Sequence, residues 1–283
     1  MKHRNKILLV LVLGTFFIGG MVTQKKYGLG NLIKILNPNY ISESKKEILK
    51  DNHLGKMSIY LLAGQSNMEG DGDENIENLN DGKIYVFNEN FKWKIGKEPV
   101  RKKIGPSMAI AKVISQNSNN PIGIINVAVG GTNISQWQKS YSENSFYQTL
   151  LKRALASQTQ GEIKGLFFLQ GENDAEGDST DHYDDWHIQF EKFIKDIRED
   201  LKNDTLPVVY GQIGKGDGEY WLKVKKSQEK VSLPNVEMIK TDDIDYKPGV
   251  IHYNSEAYYQ IGERFGKKYI DEFTTTHNNA YKK

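Results

Sequence analysis

The chain of 283 residues contains no cysteine, which excludes disulfides, thiolate nucleophiles and cysteine-ligated zinc. It also lacks a strong charge bias, since 38 Lys and Arg against 36 Asp and Glu leave a formal +2. With no basic stripe interleaved with aromatics, nucleic acid is not an expected partner. The histidines lack zinc-site spacing: His182 and His187 do not form a His-Glu-x-x-His pair, and His3, His53 and His277 lie in the arms. No internal repeat or low-complexity tract occurs between residues 56 and 273. The run from Ile7 to Val22 falls short of the roughly 20 apolar residues of a comfortable membrane span. Behind Met1-Lys2-His3-Arg4-Asn5-Lys6 it reads as an export signal or an uncleaved anchor. The expected location is therefore secreted, or attached through residues 7–22 to the outer face of the cytoplasmic membrane. Residues 23–55, rich in Lys, Asn and Ser, read as a stalk, and 274–283 as a flexible tail.

What remains, residues 56–273, is one domain in which short β-rich runs alternate with helical patterns. Candidate strands are Ile59–Ala63, Ile84–Phe87, Ile122–Val127, Leu166–Leu169, Val208–Gln212 and Val236–Ile239. Candidate helices are Ser107–Gln116, Phe146–Ser157, Tyr183–Leu201, Trp221–Val231 and Ser255–Phe273. The third shows the pattern best: Tyr183, Trp186, Phe190, Phe193, Ile194, Ile197 and Leu201 form one apolar stripe. This alternation predicts an α/β fold with a mostly parallel sheet and helices on both faces. In such folds the functional turns collect outside the carboxyl ends of the strands.

Four turns stand out. Gly64-Gln65-Ser66-Asn67-Met68-Glu69-Gly70 follows the first strand, and its glycines permit the backbone angles of a tight nucleophile turn. Gly130-Gly131-Thr132 follows the Ile122 strand, and Gln170-Gly171-Glu172-Asn173-Asp174 follows the Leu166 strand. Ile251-His252 precedes the last helix, for which Asn254 or Ser255 is the N-cap. Each alone reads as an ordinary loop. Together, in this order, they resemble the SGNH hydrolases, in particular the carbohydrate esterase family 6 and sialate O-acetylesterase branch. Gly105-Pro106-Ser107-Met108-Ala109 is similar to that branch's segment before its first long helix.

The resemblance implies a flavodoxin-like three-layer α/β/α sandwich and a serine esterase acting on O-acetylated carbohydrate, without metal or other cofactor. It makes Ser66 the nucleophile and His252 the base, an imidazole being the side chain that exchanges a proton near neutral pH. The oxyanion donors would be the N–H of Ser66, the N–H of Gly131 rather than Gly130, and the side-chain amide of Asn173. Gln65, Gln170 and Trp137 are expected to contact substrate, with Tyr220 and Trp221 as further flat faces for a sugar ring. The acidic stretch Asp71 to Glu77 disfavours a strongly anionic sugar. One departure is plain: many relatives carry Asp three residues before the histidine, and here that residue is Gly249. Glu172 and Asp243 are the expected substitutes, with Asp242, Asp245 or a backbone carbonyl as further partners for the ring. Gly249 also keeps open a glycan-binding module with a decayed triad, and an acyltransferase with a sugar acceptor is the third alternative.

Overall fold

The computed structural model describes residues 57–73, 79, 82–143, 145–177 and 182–274. The expected signal or anchor (1–22), the stalk (23–55) and all but the first residue of the tail lie outside the described residues. Among those described, no helix is long and apolar enough to cross a membrane.

Strands β1 (Met57–Gly64), β2 (Ile84–Phe87), β3 (Trp93–Ile95), β4 (Ile122–Asn126), β5 (Gly161–Leu169), β6 (Val208–Gly211) and β7 (Val236–Ile239) form one sheet. Its order is β3-β2-β4-β1-β5-β6-β7, parallel throughout except for the β2–β3 pair at one edge. Strand β1 lies in the middle and every residue of it is buried, which is why it reads as a continuous apolar run rather than an alternating one. Its side chains still alternate between the two faces. Met57, Ile59, Leu61 and Ala63 join one core, with Phe190 and Phe193; Tyr60 and Leu62 join the other, with Ile110, Ile261 and Phe265.

The helices are α1 (Ser66–Glu69), α2 (Ser107–Gln116), α3 (Phe146–Ser157), α4 (Trp186–Leu201), α5 (Glu219–Gln228) and α6 (Ser255–Phe273). α2 and α6 pack on each other and on one face of the sheet, while α3 and α4 cover the other, giving the expected three layers. The apolar stripe of α4 faces the sheet. Trp186, Phe190, Phe193, Ile194 and Ile197 are fully buried, the three aromatic rings packing on Phe168, and each side chain contributes about 1.5–3 kcal/mol on leaving water. Asn254 is the cap of α6, its Oδ1 accepting the Ala257 N–H at 2.8 Å.

Register places the site. Leu62 pairs with Asn126 and Gly64 with Leu169, so β1, β4 and β5 end at one edge. The chain completes the β2–β4 side before crossing β1 to start β5, and the strands flanking that reversal open the crevice where α/β proteins bind ligands.

Candidate active site

At the end of β1 the chain turns sharply. Gly64 has φ 132°, and a Cβ there would stand 2.1 Å from the Leu169 carbonyl oxygen, so only glycine lets β1 and β5 close this tightly. The turn starts α1, whose first residue is Ser66. Gln65 does not reach into the cleft. It is buried, and its Oε1 accepts the backbone N–H of Asn173 at 3.3 Å.

Ser66 Oγ lies 2.9 Å from His252 Nε2, so two residues 186 positions apart meet within hydrogen-bond reach. The histidine loop is folded on itself, Lys247 N–H donating to the His252 carbonyl at 2.7 Å, and Gly249 turns it with φ 75°. Asn67, next to the serine, ties this loop down by donating to the Ile251 carbonyl at 3.0 Å.

The other ring nitrogen, His252 Nδ1, faces Asp71 Oδ2 at 3.4 Å. Neither expected partner is there. Asp243 lies on the surface and forms a bidentate pair with Arg264 at 2.6 and 2.8 Å, which draws its carboxyl down to about 2. Glu172 is buried behind the serine, where its Oε1 accepts from Asn67 Nδ2 at 2.6 Å and its Oε2 has no partner. Burial drives its carboxyl up to about 7 against the opposing Asn67 bond. Asp242 binds Lys225, and Asp245 lies near Lys215.

Asp71 reaches the histidine because its loop is docked from both sides. Gly72 and Ile104 exchange backbone hydrogen bonds at 2.9 and 3.2 Å, and Gly72 packs against Ser255 at the start of α6. Lys103 Nζ binds Asp71 Oδ1 at 2.9 Å, and Lys247 Nζ binds Oδ2 at 3.0 Å. Burial works to raise the Asp71 carboxyl. The bonds from both lysines, with the charges of Lys247 and His252, outweigh it and hold the group below the usual carboxylate range. Asp73 is held by the same two lysines, so the acidic stretch is neutralised where it is described. The signal for Asp71 was present in the sequence as an acid five residues after Ser66.

The groups expected to donate to an oxyanion lie on three segments. Among the described residues, the N–H groups of Ser66 and Gly131 have no partner, whereas Gly130 N–H is occupied by Glu69 Oε2 at 3.0 Å. Gly131 has φ 73° with open space where a Cβ would stand, a conformation natural to glycine. The Asn173 side-chain amide donates to Asn133 Oδ1, which fixes its plane and leaves its second N–H free to point elsewhere.

The residues expected to touch sugar lie beneath the site. Gln170 is 0% exposed and holds the loops together: its Nε2 donates to the Thr132 carbonyl at 2.7 Å and to Asp174, and its Oε1 accepts from Trp186. Trp137 is also 0% exposed, packed among Phe146, Phe168 and Phe193, with its indole N–H on Thr132 Oγ1 at 3.2 Å. A ring inside the core presents no face to a sugar, so Gln65, Gln170 and Trp137 support the loops instead of contacting substrate. Asp174, buried in the same place, accepts the Ile134 N–H at 2.9 Å, and burial raises its carboxyl to about 6. Trp221 is likewise engaged, its indole N–H on the Gly214 carbonyl at 2.9 Å, and Tyr220 packs on Tyr183 under Lys223. Among the described residues no group of three His, Asp or Glu side chains is arranged to hold a metal.

Residues 56–271 match the family described as carbohydrate esterase, sialic acid-specific acetylesterase. A probable carbohydrate esterase of Arabidopsis thaliana is 27% identical over 260 residues, which span 82% of this chain and 96% of that protein. An Arabidopsis thaliana protein of known X-ray structure superposes with a TM-score of 0.71 at 26% identity, over 77% of this chain and 99% of that one. A carbohydrate acetylesterase of Xanthomonas citri gives 0.59 at 21% identity, over 75% of this chain and 56% of its own. At that identity the likeness is one of fold.

Proposed function

The chain belongs to the carbohydrate esterase family of sialic acid-specific acetylesterases, carboxylic ester hydrolases, and on that premise we propose that it removes O-acetyl groups from carbohydrate through an acyl-enzyme on Ser66. The observation that carries this reading is the 2.9 Å contact between Ser66 Oγ and His252 Nε2. In the proposed reaction His252 takes the Ser66 proton as the oxygen attacks the acetyl carbonyl. The negative oxygen of the tetrahedral intermediate is received by the N–H groups of Ser66 and Gly131 and the Asn173 amide. Collapse expels the sugar oxygen, which His252 protonates, leaving an acetyl ester on Ser66. Water, deprotonated by His252, attacks that ester, and a second collapse releases acetate and restores the serine. Asp71 holds the ring and balances the charge it carries between these transfers.

With Asp71 facing Nδ1, the missing acid at position 249 no longer argues for a decayed site. We further propose that the domain at 56–273 works outside the cytoplasm, carried behind a signal or anchor at 1–22 and a stalk at 23–55; the basic lead and apolar run support this. The test is hydrolysis of an aryl acetate and a panel of acetylated xylan fragments, sialosides and cell-wall glycans by the native protein and by Ser66→Ala. Loss of all turnover in a variant with an unchanged melting temperature is expected. Substantial turnover by Ser66→Ala sinks the mechanism, and acetyl transfer to an added sugar in place of acetate release moves the protein to the acyltransferases.

A further inference from the structure

Glu69 closes α1, three residues after the nucleophile. Its Oε2 accepts the Gly130 N–H at 3.0 Å. A Cβ built on Gly130 would stand 3.3 Å from that oxygen and 3.3 Å from Ser66 Cβ, so the carboxylate and the nucleophile share one wall of the cleft. Nearby cations are engaged elsewhere: Lys103 and Lys247 with Asp71 and Asp73, Arg101 with Glu89 at 2.9 Å. Among the described residues no cation pairs with Glu69. The negative charge that the sequence suggested in the stretch after residue 70 is therefore compensated where it is described, and the one left facing the reaction belongs to α1.

We infer that Glu69 is a specificity-determining residue, selecting acetyl esters of uncharged sugar hydroxyls over those whose alcohol carries a carboxylate beside the ester. The selected substrate thus lacks the negative charge of the sialic acid in the family's description. This rests on Ser66 being the nucleophile. The carboxylate is held in place by its bond to Gly130, so it cannot swing away from an incoming anion without giving up that bond. Unit charges about 7 Å apart at a partly open site repel enough to change a rate roughly tenfold, and salt screens the effect.

The test uses 2-acetoxybenzoate and its methyl ester, which differ by one charge next to the same acetyl group, with the native protein, Glu69→Gln and Ser66→Ala. Glu69→Gln keeps an oxygen for the Gly130 N–H and removes the charge. Its ratio of kcat/KM for the anionic over the neutral ester is expected to exceed the native ratio roughly tenfold. Raising the salt to about 0.5 M is expected to raise the native ratio and leave that of Glu69→Gln unchanged. A Glu69→Gln ratio within twofold of native, or a native ratio indifferent to salt, overturns the inference. If Glu69→Gln hydrolyses neither ester, the salt response of the native protein decides. If Ser66→Ala hydrolyses both, the assignment of the nucleophile has failed, and that outcome is distinct from a failure of the charge argument.

Discussion

Replacing Asp71 by Asn tests the least expected part of the site. The side chain keeps its shape and loses its charge, so His252 Nδ1 faces an amide while Lys103 and Lys247 remain close by with less to neutralise them. In a fully assembled Ser-His-Asp triad, removing the acid costs ~10⁴ in turnover. Here the contact is longer, 3.4 Å, the Asp71 side chain is 27% exposed, and two ammonium groups already draw on it. A carboxylate at that distance stabilises an imidazolium by about 1–5 kcal/mol across the dielectric range of a protein surface, and sharing places this case near ~2–3 kcal/mol. That corresponds to a fall in kcat of roughly 30- to 150-fold. The assay is steady-state hydrolysis of an aryl acetate, with thermal melting to confirm the fold and Asp243→Asn as the control. Asp243 lies on the surface against Arg264, and its variant is expected to stay within about twofold of native. Retention of a third or more of native kcat by Asp71→Asn refutes the reasoning, as does an equal loss in Asp243→Asn.

Two further expectations concern the loop after β5. Asn173→Ala removes one oxyanion donor and is expected to lower kcat by ~10²–10³ with little change in KM, measured with the same aryl acetate; a change confined to KM would place the amide in ground-state binding. Glu172→Gln concerns stability. The folded protein holds the Glu172 proton up to about 7, whereas its unperturbed value is 4.5, so unfolding releases a proton between those limits. Its contribution is fully present below the lower value and is lost as pH rises through the upper one, by about 3 kcal/mol in all. Asp174, raised from 3.8 to about 6, acts in the same direction. Urea unfolding at pH 5 and pH 8 is expected to show a smaller loss on going to pH 8 in Glu172→Gln than in the native protein; equal losses would mean that Glu172 is ionised throughout.

Much of the fold was legible because parallel strands buried on both faces announce themselves as apolar runs. Ile122–Val127 and Val208–Gln212 match β4 and β6 to within a residue, and both strands are buried throughout. β5 starts at Gly161 rather than Leu166 because its first residues, paired with Met57 to Ile59 and then bulged at Lys164, include the charged Glu162 and Lys164 and show no run. β3 is only Trp93–Ile95, an antiparallel edge strand too short to carry a period. The stripe of α4 was plain from Tyr183, yet the helix begins at Trp186. In the site, Ser66, His252, Gly131 and Asn173 came from motifs, and the structure brings Ser66 and His252 into contact. The errors have one physical source. Gln65 and Gln170 are polar motif residues expected at the substrate, but they spend their hydrogen bonds on backbone groups of neighbouring loops, which a sequence does not display. Asp71 was missed as a partner because what selects it is the docking of its loop on Ile104 and α6, a tertiary fact.

That docking has a consequence for how the site is kept in register. The proposed nucleophile and acid sit on one continuous segment, 66–71, while the proposed base arrives from a loop nearly two hundred residues later. A triad whose acid stands three residues before the histidine has its adjustable joint between serine and imidazole. Here the joint encloses the histidine from both sides, since the same segment contacts Nε2 through Ser66 and Nδ1 through Asp71. The two loops are fastened at further points: Asn67 on the Ile251 carbonyl, Lys247 on the carbonyl and carboxylate of Asp71, and Gly72 against Ser255. Any shift of the loop backbone that carried the ring away from the serine would also strain the bonds to Asn67 and Lys247. Preorganisation of this kind lowers the entropy lost on reaching the transition state, and it makes a single rigid body out of parts that a linear reading scatters along the chain. It follows that Asn67 and Lys247, which touch no reacting atom, are positioning residues whose removal acts through the Ser66–His252 distance.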